Sequence, residues 1–466
     1  MKLYNTLSQK IETVQPQNPP EITVYTCGPT VYDYPHVGNW FTFIRYDLLI
    51  RALTAAGFKV KWVMNITDVG HLVSDADEGE DKLEKGAKRE GKTAWQIAAF
   101  YSDYFINALK PLNITSPNYL VKATDHIADQ IELINKLEAK GYTYVIDDGV
   151  YFDTSKFSRY ADFGRLDLDE QQSGGRVALN PQKHQPTDFA LWKFSPKNQK
   201  RDMEWDSPWG KGFPGWHIEC SAMSMKYLGD TIDIHAGGID HLPVHHTNEI
   251  AQSESVSGKP LAKFWMHTNH VTAEGEKIAK SGGNAITLDD IKAKGFTLAG
   301  FRLHILESHY RSQSKFSWAS LEAAQNRLNS LTTMADFAWQ PKAKAKTAVD
   351  FEKIYDGLQQ SMENDLDSPN ALKILSDIQN KLEVSLLGPE DVPAFKRFLE
   401  ETEKLLGLSL ANRPDINADQ KRLIEERQLA RRKENWSKSD EIRDQLLIQG
   451  IGLRDTILDS VWYRTQ

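Results

Sequence analysis

Residues 21–66 read EITVYTCGPTVYDYPHVGNWFTFIRYDLLIRALTAAGFKVKWVMNI, and this stretch decides the fold. Glu21–Tyr25 is short and rich in β-branched and aromatic residues, as a buried strand is. Cys27-Gly28-Pro29 breaks it and sets the Cys27 sulfur at the strand's carboxyl end. A helical pattern follows from about Trp40 to Ala56, Gly57 closes it, and Phe58–Ile66 reads as a second strand. Strand, loop, helix, strand is a βαβ unit. It predicts an α/β fold with a parallel sheet that binds ligands at the strand carboxyl ends.

Downstream, Asp75–Lys92 is charged and glycine-punctuated and reads as a surface loop. Helices are predicted over Thr93–Leu109 and Asp125–Lys140, and a hairpin over Tyr142–Asp153 across Asp147-Asp148-Gly149. Ser155–Lys211 is long, polar and irregular, an insertion between two halves of the sheet. Regular structure resumes with a helix Trp216–Leu228, a strand Thr231–His235, a helix near Pro243–Val256 and a strand Phe264–Val271. Beyond Leu298 the pattern is helical: a linker at Pro341–Lys346, a small bundle over Phe351–Leu406 closed by Gly407, then a charged helical run Ala418–Leu447 with a short tail.

A chain of 466 residues has room for about three domains with proper cores. Two cysteines make a disulfide scaffold improbable and suit a reducing compartment. The start, Met-Lys-Leu-Tyr-Asn-Thr, carries no apolar signal core, and no apolar run nears the roughly 18 residues of a membrane span. A cytoplasmic protein is expected. The net charge of −8 argues against indiscriminate nucleic-acid binding while permitting a local basic face.

The chemistry concentrates in Phe213–Glu249, which holds Cys220, His245 and Glu249. His245 and Glu249 are four apart and share a face if Pro243 opens a helix. With Cys27 they supply two soft sulfurs, an imidazole and a carboxylate, a tetrahedral zinc set. No Cys-x-x-Cys pair is present, so the set is not a finger or ribbon. His36-Val37-Gly38-Asn39 lies where a strand hands over to a helix, whose free N–H groups and dipole suit a triphosphate. Lys277-Ile278-Ala279-Lys280-Ser281 carries two lysines that can neutralise charge developing on phosphates.

In this order and spacing the two motifs resemble the HIGH and KMSKS motifs of the class I aminoacyl-tRNA synthetases. Tyr25–Asp33, Gly215–Met223 and His245–Glu249 resemble the cysteinyl-tRNA synthetase family in particular. The resemblance spans nearly the whole chain. It implies a Rossmann-type catalytic domain split by an insertion, then an α-helical anticodon-binding region and a small tail. The implied divisions are 1–115 and 213–265 for the catalytic halves, 116–212 for the connective insertion, 266–340 for a stem-contact region with the KMSKS-like loop, 341–410 for the bundle and 411–466 for anticodon recognition.

The activity implied is ligation of L-cysteine to tRNA(Cys) through an adenylate, with Mg-ATP as substrate, one zinc per chain and a monomeric enzyme. His36, Asn39, Lys277 and Lys280 take catalytic roles, joined by Gly38, Gly237, Gly238 and Asp240 in binding ATP. Cys27, Thr67, Trp216 and His235 would bind cysteine. Zinc would be held by Cys27, Cys220, His245 and Glu249, and its preference for thiolate rejects serine and alanine, so no editing domain is expected. Arg431, Trp436, Asp440 and Asp455 match anticodon-reading positions on a run that also contains Arg427, Arg432 and Lys433 and that otherwise reads as a solvated face.

Three departures stand out. Asn39 replaces the second histidine of HIGH, Ile278 and Ala279 replace residues of KMSKS, and Val69-Gly70-His71 replaces an acidic run. Two other functions share this pattern: a cysteine ligase acting on an amino sugar, and a non-catalytic zinc- and RNA-binding paralogue. The long basic, Trp-bearing part after Asp350 speaks against the first, and His36, Lys277 and Lys280 against the second.

Overall fold

In the computed structural model the described residues are 1–71, 81–165, 180–196, 201–273, 276–277, 285–343, 345–456 and 460–465. They divide into two units, Met1–Lys294 with Tyr310–Ser317, and Gly295–His309 with Trp318–Gln466.

The first unit is built on a five-stranded sheet ordered Ala262–Thr268, Ile232–Gly238, Glu21–Thr26, Lys59–Ile66, Tyr119–Lys122, with every neighbouring pair parallel. From Glu21–Thr26 the chain builds outward on one side, crosses the insertion, and returns to pair Ile234–Ala236 with Val24–Thr26. The order reverses at that pair, the switch point where such sheets open a crevice. Ile22, Val24, Tyr25, Trp62, Val63, Met64, Ile232 and Ile234 are at most 1% exposed. These near-continuous apolar runs belong to a sheet covered on both faces.

The helix predicted from Trp40 runs Val37–Ala55. It starts three residues early because Asn39 Oδ1 accepts the His36 N–H at 3.0 Å and caps the first turn. Thr93 and Gln96 form a capping box that opens Ala94–Leu109 where it was predicted.

The loop expected over 75–92 is a helix over Lys82–Glu90, while 72–80 lie outside the described residues. Asp81 Oδ1 accepts the N–H groups of Leu83 and Glu84, Gly91 closes the end at φ 64, and Lys88 and Arg89 complement the dipole. Leu83 and Ala87 supply its buried face. Two apolar positions among charges are too few to show a helical period.

Ser155–Lys211 also holds more order than its polarity predicts. Phe189–Phe194 is an inner strand of a four-stranded antiparallel sheet with Thr143–Ile146, Gly149–Phe152 and Gly212–Pro214. Phe189–Lys193 is buried throughout, so no alternation marks it.

The second unit is helical, with Phe351–Glu363, Ser368–Ser385 and Val392–Leu406 in the predicted bundle and Gly407 at φ 68 after it. The predicted run Ala418–Leu447 is two helices, Ala418–Arg432 and Trp436–Ile448, broken where Glu434 turns to φ 56 and Asn435 Oδ1 accepts the Lys438 N–H. The tail is a hairpin, Ile451–Asp455 against Ser460–Arg464. Among the described residues no helix is long and apolar enough to cross a membrane.

Candidate active site and metal centre

The central strands deliver their last residues to one place. Cys27 follows Glu21–Thr26, Thr67 follows Lys59–Ile66, and Asp240 follows Ile232–Gly238. A cavity of about 490 Å³ is lined by Cys27, Cys220 and His245, by Thr67 and Trp216, and by His36, Asn39 and Asp240. It is also lined by Gly238, Tyr46 and His241.

Cys27, Cys220, His245 and Glu249 each present one donor atom, all within 4.8 Å of one another, and are 5%, 1%, 3% and 0% exposed. A π-helical turn at Leu242–His246 leads into the helix Thr247–Ser257 and brings His245 Nε2 to 3.0 Å from Glu249 Oε1. The contact is an ion pair, and by strict geometry Glu249 Oε1 accepts no hydrogen bond from the described groups. A buried carboxylate oxygen left so is costly unless a cation takes it. The donor set fits zinc in type, number and spacing.

The electrostatics agree. The Cys27 hydrogen bond, acting against burial, brings the Cys220 thiol down to about 7. Burial pushes the Glu249 carboxyl up, but His235 and His245 outweigh it and hold it at about 2. Burial disfavours a charged His245, yet Cys220 and Glu249 raise its pKa to about 10. The surroundings favour anions on Cys220 and Glu249, each of which in turn favours the protonated form of His245.

Further histidines, most of them not singled out from the sequence, touch the side chains of the set. His217 Nδ1 lies 2.9 Å from His245 Nδ1, and His246 Nε2 lies 3.4 Å from Cys27 Sγ. His246 Nδ1 in turn lies 2.8 Å from His267 Nε2, and burial lowers the His267 pKa to about 3. Burial likewise pushes His217 and His246 well below the usual range, so their rings are neutral hydrogen-bonding groups. Histidine recurring beside each strand end and helix start is the signal that could have found them. Gly237 is required here, since a Cβ would lie 2.3 Å from the His246 ring.

His235, which the resemblance places near the substrate, is not among the residues that line the cavity. It is wholly buried, stacked on Trp265 at 4.5 Å, and its Nε2 lies 2.9 Å from Glu249 Oε2. Cys27, His235, His246 and Glu249 also fall within 4.8 Å of one another, a second four-donor group with one sulfur in place of two.

Of the two lysines, Lys277 ends the strand Glu276–Lys277, whose backbone pairs antiparallel with Val271–Ala273. Lys280 lies outside the described residues.

In the second unit, Arg431, Trp436 and Asp455 come together. Arg431 Nη1 is 2.8 Å from Asp455 Oδ2 and its guanidinium lies 5.6 Å from the Trp436 ring, which is 56% exposed. Asp440 sits one turn beyond Trp436 and pairs instead with Arg443. Arg427, read with the solvated basic face, is buried: it grips Asp455 with both Nη atoms at 3.0 and 3.1 Å. These bonds hold the Asp455 carboxyl at about 2. Only the hairpin's return across the helix reveals that role.

Residues 13–326 match the family model described as tRNA synthetases class I (C) catalytic domain. A cysteine--tRNA ligase of Treponema denticola is 41% identical over 99% of this chain and 99% of its own. Cysteine--tRNA ligase 1 of Burkholderia lata is 44% identical over 98% of this chain and 95% of its own. Among solved structures, Mycobacterium tuberculosis methionyl-tRNA synthetase bound by methionyl-adenylate aligns at a TM-score of 0.59, covering 83% of this chain and 92% of that one. At 15% identity that likeness shows the fold alone. With its class I catalytic domain and full-length relatives, the chain belongs to the cysteine--tRNA ligases, the class I synthetases that join cysteine to tRNA(Cys).

Proposed function

We propose that this ligase selects cysteine at a single zinc held by Cys27, Cys220, His245 and Glu249. The observation that carries the proposal is the convergence of four buried donors, with one Glu249 oxygen lacking any hydrogen-bond partner among the described groups. The two-sulfur group is preferred over the one-sulfur group because thiolates hold zinc best. Zinc held there would supply a soft Lewis acid that prefers the substrate's thiolate sulfur as a further ligand over the hydroxyl of serine. His235 and His246 then serve as outer partners that orient Glu249 and Cys27.

Thr67 and Trp216 wall the space for the amino-acid side chain. The substrate carboxylate attacks the α-phosphate of ATP, and pyrophosphate leaves. His36, the helix start at Gly38–Asn39, Lys277 and Lys280 oppose the charge developing on phosphate, while Gly237, Gly238 and Asp240 hold the adenosine. The terminal ribose hydroxyl of the tRNA next takes the acyl group and AMP leaves. The enzyme acts as a cytoplasmic monomer, a reading that its two free cysteines support as to compartment.

Purified protein given ATP, Mg²⁺ and labelled cysteine is expected to label deacylated tRNA and leave an amino-sugar acceptor unlabelled. Metal analysis is expected to return about one zinc per chain. Full activity in zinc-free protein would overturn the proposal.

Arg431, Trp436, Asp440 and Asp455 are proposed to read the anticodon. The exposed Trp436 indole offers a stacking face for an unpaired base. Stacking contributes about 1–3 kcal/mol per base. Trp436→Ala is therefore expected to raise KM for tRNA roughly ten-fold while leaving ATP–pyrophosphate exchange unchanged. A loss of exchange would place the indole in a structural role.

A further inference from the structure

Val69-Gly70-His71 departs from the acidic run of the family, and His71 takes no part in the metal set. His71 is 5% exposed, and its Nε2 lies 2.7 Å from Glu219 Oε1. Glu219 is wholly buried and immediately precedes Cys220 on the helix Trp216–Leu228. The Thr67 hydroxyl lies against the same carboxylate. Asn65 Nδ2 donates to Thr67 Oγ1 at 3.0 Å, and the Gly28 N–H donates to Asn65 Oδ1 at 2.8 Å. One run of polar contacts thus joins the residue after Cys27 to the residue before Cys220, passing through Thr67. At its far end the His71 ring lies 6.3 Å from the Trp216 ring, within aromatic-pair range.

His71 is itself held. Arg201 Nη2 donates to the Gly70 carbonyl at 3.3 Å and pairs with Asp81. The Asp81 carboxylate fills the space a Cβ on Gly70 would need, 2.1 Å away, so only glycine admits it. The segment before His71 is therefore fixed from the insertion side and from the cap of the helix Lys82–Glu90.

We propose that the His71–Glu219 pair is the positioning device of the amino-acid pocket, setting Trp216 and Thr67 before cysteine arrives. The proposal rests on the reading that Thr67 and Trp216 wall that pocket. A buried carboxyl group deprived of its partner must admit water or turn toward another hydrogen-bonding group. Either response displaces both walls, and a small displacement at a preorganised site weakens binding.

Cysteine-dependent ATP–pyrophosphate exchange by full-length His71→Ala, His71→Gln and Trp216→Ala variants tests this. His71→Ala is expected to raise KM for cysteine about ten-fold, with KM for ATP, zinc content and the thermal midpoint unchanged. His71→Gln, whose amide can donate to or accept from the Glu219 carboxyl group, is expected to restore most of the loss. An unchanged cysteine KM in His71→Ala overturns the proposal. So does an equal rise in both KM values with a lowered midpoint, or a Gln variant no better than the Ala one. If Trp216→Ala leaves the cysteine KM unchanged, the pocket reading fails and the proposal falls with it.

Discussion

Cys27→Ser protein is expected to lose stoichiometric zinc and to show a KM for cysteine raised at least about 100-fold. The substitution keeps the side chain's shape and removes its softness. A serine hydroxyl stays protonated at neutral pH, so the set loses an anionic sulfur and one of four donors. Cys27 Sγ is also the partner of His246 Nε2 at 3.4 Å, and His246 continues to His267, so the outer histidines lose their reference point as well. Disturbing an outer partner alone typically costs about 10–100-fold in metal affinity or activity, and deleting a ligand should exceed that. Metal analysis after dialysis against a chelator, with cysteine titrations at saturating ATP, reads both effects. Metal-free Cys27→Ser protein with the parent's cysteine affinity would sink the zinc assignment.

Lys280→Ala is expected to slow the single-turnover formation of cysteinyl-adenylate by about 100-fold or more, with little change in cysteine affinity. Both the attacking carboxylate and the phosphate are anionic, and charge rises further on the phosphate oxygens as pyrophosphate departs. A cation there interacts more strongly with the transition state than with bound ATP, so its loss falls on the rate. Removing one such stabiliser from a water-excluded site costs about 2.7–4 kcal/mol, which corresponds to about 10²–10³ in rate. Rapid-quench measurement with radiolabelled ATP gives the step directly. An unchanged rate would remove Lys280 from the mechanism and leave the burden on His36 and Lys277.

Much of this architecture was legible in local patterns. The strand Glu21–Thr26, the helix after His36 and the strand to Ile66 announce themselves through apolar runs, a breaker at Cys27-Gly28-Pro29 and a closing Gly57. Elements whose burial is lopsided or total were harder to read. The helix Lys82–Glu90 shows two apolar positions among charges, and the strand Phe189–Phe194 is covered on both faces and lacks alternation. Periodicity needs enough apolar residues on one face and polar residues on the other: the helix has too few of the first, and the strand has no wet face to alternate with.

The metal set follows the same division. Residue type alone singled out Cys27, Cys220, His245 and Glu249, because two cysteines in 466 residues with an i,i+4 His–Glu pair leave few other donor sets. What the chain in one dimension determined was the parallel-sheet fold, which rests on local propensity, while side-chain chemistry nominated the donor set and the two motifs proposed to bind phosphate. Only the tertiary structure decided that His235 backs Glu249, that His246 meets Cys27, that Arg427 is buried beneath Asp455, and that His71 reaches Glu219 across 148 residues of chain. Those contacts join distant segments whose meeting depends on sheet order and burial, and no local pattern encodes the low-dielectric surroundings that turn an ordinary imidazole or guanidinium into a fixed partner.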